Sequence, residues 1–147
     1  MKYLSHSLEE TNQISLDFLA KISQIKNEQA LVVALFGDLG SGKTTFTKGF
    51  AEFVGIKKTI TSPTFVISKE YPVASSSIKK LVHVDCYRLS SEEDAENTGL
   101  TDYLNGGDAI LILEWPENIE SILPKNVKKI YFEYIDEKTR KITIGNL

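Results

Sequence analysis

Leu8, Thr11, Ile14, Phe18, Ile22 and Ile25 recur every three or four residues near the start of the chain. That period marks one buried stripe of a helix. Ser7, with Glu10 three residues later, supplies a capping box at its start. Ala30 to Phe36 then runs apolar without a break, as a strand buried on both faces of a parallel sheet does. A glycine-rich loop follows. A second helix is predicted from Lys43, with Phe46, Phe50, Phe53 and Val54 on one stripe and Gly55 as its stop. Phe65 to Tyr71 and Lys80 to Tyr87 alternate, and the serines between them predict an antiparallel pair. Ser90 with Glu93 reads as a second capping box before a short acidic helix. Ala109 to Leu113 is another buried strand, ending at Glu114, Trp115 and Pro116. Lys129 to Ile135 and Arg140 to Ile144 predict a closing hairpin. Together these elements make an α/β chain with a mixed parallel and antiparallel sheet.

Size and composition narrow this picture. With 147 residues, 41% of them hydrophobic and 25% charged, residues 1–147 fit one globular domain. A net charge of −3 argues against a stand-alone nucleic-acid binder, which carries a basic excess. A single cysteine, Cys86, rules out an internal disulfide and suits a reducing compartment. The longest apolar run is far short of a membrane span, and no apolar signal region follows the first residues. The expectation is a soluble, cytoplasmic protein.

The loop after the first strand carries the clearest chemistry. Gly37-Asp38-Leu39-Gly40-Ser41-Gly42-Lys43-Thr44 satisfies the phosphate-loop pattern G-x-x-x-x-G-K-[ST], between a buried strand and an amphipathic helix. Glycines let successive backbone N–H groups turn toward phosphate oxygens, above the positive end of a helix dipole. Lys43 then reaches the β- and γ-phosphates, and the Thr44 hydroxyl ligates Mg²⁺. Such a site also needs a carboxylate at the end of a neighbouring strand. Two runs offer one: Ile110 to Leu113 ends at Glu114, and Leu81 to Val84 ends at Asp85. Glu114 follows the more strongly apolar strand and is favoured for the metal, directly or through water. Asp85 then suits a water-orienting role, although the two roles remain exchangeable at this stage.

Other residues carry less. A histidine such as His83 is more often structural than catalytic. Cys86 shares its strand face with valines and reads as core. Two histidines and one cysteine make no zinc set. Trp115 reads as packing, with its place beside Glu114 leaving recognition open. Thr61-Ser62-Pro63-Thr64-Phe65 has the character of a γ-phosphate-sensing switch. Neither D-x-x-G nor N-K-x-D occurs, so guanine specificity has no support. Only two arginines, Arg88 and Arg140, leave a small-molecule kinase poorly equipped. What remains is a minimal ATPase that serves a partner; a kinase and a non-hydrolysing nucleotide sensor are the alternatives.

Four motifs appear in order: Gly37 to Thr45, Ser62-Pro63-Thr64-Phe65, His83-Val84-Asp85-Cys86-Tyr87-Arg88-Leu89, and Glu114-Trp115-Pro116-Glu117. In this the chain strongly resembles the bacterial TsaE (YjeE) family, the small ATPases of tRNA threonylcarbamoyladenosine biosynthesis. The resemblance runs through most of the chain. It implies a three-layer phosphate-loop NTPase fold. It also implies Mg²⁺-dependent ATP hydrolysis, weak alone, in support of a TsaB–TsaD heterodimer that modifies adenosine 37 of tRNA. Any contact of this chain with tRNA would be indirect or weak. By the same resemblance Asp38, Leu39, Gly40, Ser41, Gly42, Lys43, Thr44 and Thr45 would bind nucleotide. Thr44 and Glu114 would hold the metal, and Asp85 would support hydrolysis. Thr64 would belong to the switch, and Tyr87, Arg88 and Trp115 would lie near the site or the partner surface. The region around Thr11 would approach the base.

Overall fold

A computed structural model describes residues 1–23, 30–63, 68–74 and 78–145 of the chain. Strands are β1 (Lys2–Ser5), β2 (Leu31–Phe36), β3 (Ser68–Pro72), β4 (Lys80–Asp85), β5 (Ala109–Glu114), β6 (Lys128–Tyr134) and β7 (Arg140–Ile144). Helices are α1 (Leu8–Ile22), α2 (Lys43–Phe53), α3 (Glu92–Asn97) and α4 (Leu100–Asn105), with 3₁₀ turns over Pro116–Ile122. The strands form one sheet in the order β1-β7-β6-β2-β5-β4-β3. β6, β2, β5 and β4 run parallel; β3, β7 and β1 are antiparallel to their neighbours. The expected mixed sheet and the pairing of β3 with β4 are therefore present.

Alternation along the central strands builds the three layers. Val33, Leu35, Leu81, Ile110 and Ile112 pack with Phe18, Leu19, Phe46 and Phe50 of α1 and α2. Val32, Val82, Val84, Leu111 and Leu113 face the other way, onto Ala95, Leu100, Leu104 and Ile119. Strands covered on both sides need apolar residues at every position, which explains their unbroken runs. Phe46 lies at the centre of an aromatic group, 5.4 Å from Phe132, 5.6 Å from Phe50 and 6.2 Å from Phe18 between ring centroids. Emptying such a position costs about 3–5 kcal/mol. Helices α1 and α2 meet closely because Gly49 has no side chain: a Cβ there would fall 2.6 Å from that of Ser15. The Ser15 hydroxyl uses the proximity to donate to the Phe46 carbonyl at 2.7 Å.

Several boundaries differ from the pattern-based expectation. Leu8 is exposed and Ser15 and Leu19 are buried, so the inward stripe of α1 is rotated from the one predicted. Ile25 lies outside the described residues, as do positions 65–67 of the expected third strand. Phe53 is also exposed, because the stripe of α2 ends at Phe50 and Ala51. Ser7 does cap α1, accepting from the Glu10 N–H at 3.1 Å. The second cap shifts by one: Ser91, not Ser90, accepts from the Asp94 N–H at 3.1 Å. The Asp94 carboxylate reaches back to the N–H and hydroxyl of Ser90, which holds it below the usual carboxylate range. Gly55 ends α2 as expected, with Ile56 N–H bonded to Ala51 O and Gly55 N–H to Glu52 O. Among the described residues no helix is long and apolar enough to cross a membrane.

Candidate functional site

Parallel pairing decides where the two strand-end acids stand. In the register of β4 and β5, Asp85 lies opposite Glu114. In that of β2 and β5, Leu35 lies opposite Glu114. All three strands therefore end at one level, and the phosphate loop leaves β2 at that level. Ligands of open α/β sheets collect beyond such carboxyl ends. A cleft of about 1000 Å³ occupies that position, with Lys43, Thr44, Asp85, Glu114 and Trp115 among its lining residues.

The loop itself is a backbone device. Gly37, Gly40 and Gly42 all have positive φ. At Gly37 a Cβ would meet Phe132 O at 2.5 Å and the Ser41 hydroxyl at 2.9 Å, so a side chain there would push the loop off β6. Gly42 starts α2 directly, and the helix N-terminus opens into the cleft. Lys43 folds back and donates to Gly37 O at 2.5 Å and Asp38 O at 2.9 Å. Its ammonium also lies 4.3 Å from the centroid of the Trp115 ring. Burial pushes the Lys43 ammonium below the usual lysine range, against the opposing pull of Glu114, Glu117, Asp38 and Asp85.

Two acids of similar origin have different surroundings. Glu114 is buried, hydrogen-bonded with His83 Nε2 at 2.8 Å, and accepts from the Thr44 hydroxyl at 3.3 Å. Asp85 accepts from the Tyr87 N–H at 2.9 Å. The next residue after Glu114, Trp115, takes φ 56 and ψ 51, the only non-glycine with positive φ among the described residues. That conformation costs roughly 1–2 kcal/mol. It turns the chain so that the indole faces Lys43, while Tyr87 meets it edge-on at 5.5 Å. Trp115 thus lines the cleft as well as packing against Tyr87.

Not every predicted residue points into the cleft. Leu39, Gly40, Gly42, Thr45, Tyr87 and Arg88 line it with the residues above. Asp38 contributes its carbonyl to Lys43, and Ser41 lies buried beneath the loop. Thr11 lines the far end, but its hydroxyl is engaged with Ser5 at 2.7 Å and with the Ser7 carbonyl. Ser62 lines the cleft, whereas Thr64 lies outside the described residues. Cys86 is core, and burial raises its thiol far above the usual range.

His6, Ser7, Leu8, Glu137, Lys138 and Arg140 also line the cleft; the start of the first helix was expected near the site, whereas sequence reasoning missed the turn between β6 and β7. Arg140 holds the turn between β6 and β7 through Asp136 O and Thr139 O, and reaches Gly40 O at 3.3 Å. Its rarity in the chain was the one available signal. The partnership of His83 with Glu114 was missed too.

The donor atoms fit magnesium better than a transition metal. Thr44, Glu114 and Asp85 offer hard oxygens, and Mg²⁺ commonly takes one or two carboxylates together with substrate phosphates and water. Among the described residues no three His, Cys, Asp or Glu side chains converge as a complete cage.

A family model for the threonylcarbamoyl adenosine biosynthesis protein TsaE matches residues 5–142. The tRNA threonylcarbamoyladenosine biosynthesis protein TsaE of Bacillus subtilis (strain 168) is 38% identical, over 99% of this chain and 87% of that protein. The protein of the same name from Rickettsia bellii (strain RML369-C) is 32% identical, over 96% of this chain and 92% of its own length. The crystal structure of YdiB from B. subtilis superimposes with a TM-score of 0.74 at 34% identity, covering 98% of this chain and 83% of that one.

Proposed function

The chain belongs to the TsaE family, whose part is in tRNA threonylcarbamoyladenosine biosynthesis, and from that premise we propose that its cleft binds and hydrolyses ATP with Mg²⁺. The observation that carries the reading is the convergence of two elements on one carboxylate. The Thr44 hydroxyl, on the first turn of α2, lies 3.3 Å from Glu114 at the end of β5. Phosphate-loop hydrolysis needs that pairing of loop hydroxyl and strand-end acid.

Each residue then has a task set by its surroundings. The loop N–H groups and the start of α2 receive the phosphates. Lys43 exchanges the carbonyls of Gly37 and Asp38 for phosphate oxygens, a neutral acceptor for a charged one. Thr44 and Glu114 would hold Mg²⁺, directly or through water, and the bound ion would supply positive charge against that developing on the transferred phosphoryl group. One oxygen of Asp85 is fixed by Tyr87 N–H, and the carboxylate orients the attacking water. Trp115 covers one side of the cleft, with Tyr87 edge-on against it.

Hydrolysis in this reading serves a partner, the TsaB–TsaD heterodimer, and supports its turnover on tRNA without this chain performing the transfer. The exposed Tyr87 and Arg88 at the cleft mouth suit that contact. The test is ATP turnover by the purified chain, alone and with the TsaB–TsaD pair. Slow hydrolysis that the pair accelerates is expected, and Lys43→Ala abolishes nucleotide binding in an equilibrium assay. Normal ATP affinity in Lys43→Ala would remove the phosphate-loop role. Unaltered turnover with the pair present would remove the partner.

A further inference from the structure

We infer that His83 is a positioning residue for this reaction: its imidazole fixes the Glu114 carboxylate in the orientation that receives magnesium. The inference rests on the metal-holding role proposed for Glu114. Three observations carry it.

The first is the bond itself. His83 is fully buried, and its Nε2 lies 2.8 Å from Glu114 Oε1. A carboxylate that holds a cation can only accept, so in the proposed role the imidazole is the donor of this bond. His83 pairs with Ile112 in the β4–β5 register, two residues below Glu114 and on the same side of the sheet. The acid therefore leans back along its own strand to meet the ring.

The second is convergence. Thr44 Oγ1 and His83 Nε2 both bond to Oε1 of Glu114. Donors from α2 and from β4 fix that oxygen from two elements, leaving Oε2 for the ion or its water shell. A ligand carboxylate held by a hydrogen bond behind it presents a defined lone pair, whereas an unheld one is free to rotate.

The third is the other ring nitrogen. Nδ1 of His83 is buried and has no hydrogen-bond partner among the described residues. An unpaired buried polar atom is unfavourable, and an aliphatic side chain would fill the position without it. Leu81, two residues earlier on the same face, does so. A residue chosen for packing alone would not carry that penalty. The bond through Nε2 is what offsets it.

The test uses the chain's one tryptophan. Trp115 lies over Lys43, so its fluorescence reads what enters the cleft. The parent, His83→Leu and His83→Gln are each titrated with ATP in the presence of EDTA. Each ATP-saturated protein is then titrated with Mg²⁺. Circular dichroism and thermal melting check that each variant is folded. His83→Leu is expected to weaken the Mg²⁺ midpoint by about 10-fold or more while leaving magnesium-free ATP affinity within about 2-fold. Gln carries an amide N–H near the place of Nε2 and should restore the midpoint to within about 3-fold of the parent. Equal Mg²⁺ midpoints in the parent and His83→Leu would overturn the inference. So would a parallel loss in Leu and Gln variants that extends to magnesium-free ATP binding, which would mark a structural role. If His83→Leu does not fold, Gln is compared with His83→Asn, whose donor is too short to reach Glu114; equal midpoints would again overturn it. A parent that binds ATP but shows no Mg²⁺ response would instead remove the metal role of Glu114, and the inference with it. The first titrations on the parent separate that failure from the others.

Discussion

The ends of β4 and β5 look alike in sequence and behave differently in the fold. Each strand is a short apolar run closed by an acid, and the two acids stand opposite one another in the sheet. Glu114 is tied to side chains from two other elements, His83 on β4 and Thr44 on α2. Asp85 is tied to its own chain, two residues on. The first is held by tertiary structure and the second by a local turn. A carboxylate fixed from outside its strand is suited to hold an ion in place. One fixed by a turn beside the exposed Tyr87 is suited to orient a water at the cleft mouth. The difference lies in what surrounds each acid, and the acids alone do not reveal it.

The largest expected effect breaks the comparison at Glu114. Glu114→Ala should lower Mg²⁺-dependent hydrolysis by roughly 10²–10³-fold while magnesium-free ATP affinity is retained. Asp85→Ala should lower turnover by about 10²-fold and leave the Mg²⁺ midpoint unchanged. Hydrolysis that survives in the first variant and is lost in the second would exchange the two roles.

A smaller effect sharpens the comparison through Lys43. Its ammonium is pushed below 10.5 by burial, and Glu114 is the first of the carboxylates that oppose the shift while Asp85 is the last. The charged form binds phosphate. ATP affinity is therefore full below the Lys43 pKa of the free protein and declines as pH rises through it, by at most about tenfold per pH unit. Removing Glu114 should move the onset of that decline to lower pH, and removing Asp85 should move it less. Affinity profiles against pH for the parent and both variants, measured without magnesium, decide it. Identical onsets in all three would mean that neither acid acts on the lysine.

Much of the site was legible because its information is local. The phosphate loop needs glycines at fixed offsets between a strand and a helix, and all of that lies within Leu31–Phe53. The buried strands announce themselves because both faces are covered. The rest depends on contacts distant in sequence. His83 and Glu114 are neighbours only because β4 and β5 pair in one register, which neither run encodes alone. Arg140 reaches Gly40 across 100 positions. β1 has only four residues and buries one of them fully, too little for an apolar signal. Leu8 and Phe53 misled the helix stripes because apolar residues at the end of a helix satisfy the period whether or not anything covers them.

The outermost pair of strands sets an order of events. β1 is the edge strand beyond β7, its one strand partner among the described residues; Lys2 faces Thr143, and the Met1 amine donates to Ile144 O at 2.6 Å. Closing so long a loop comes late and slowly, since its entropy must be overcome before the ladder rewards it. The same pairing sets Ser5 opposite Arg140, so the side of the cleft that Arg140 lines is secured only once β1 has joined β7.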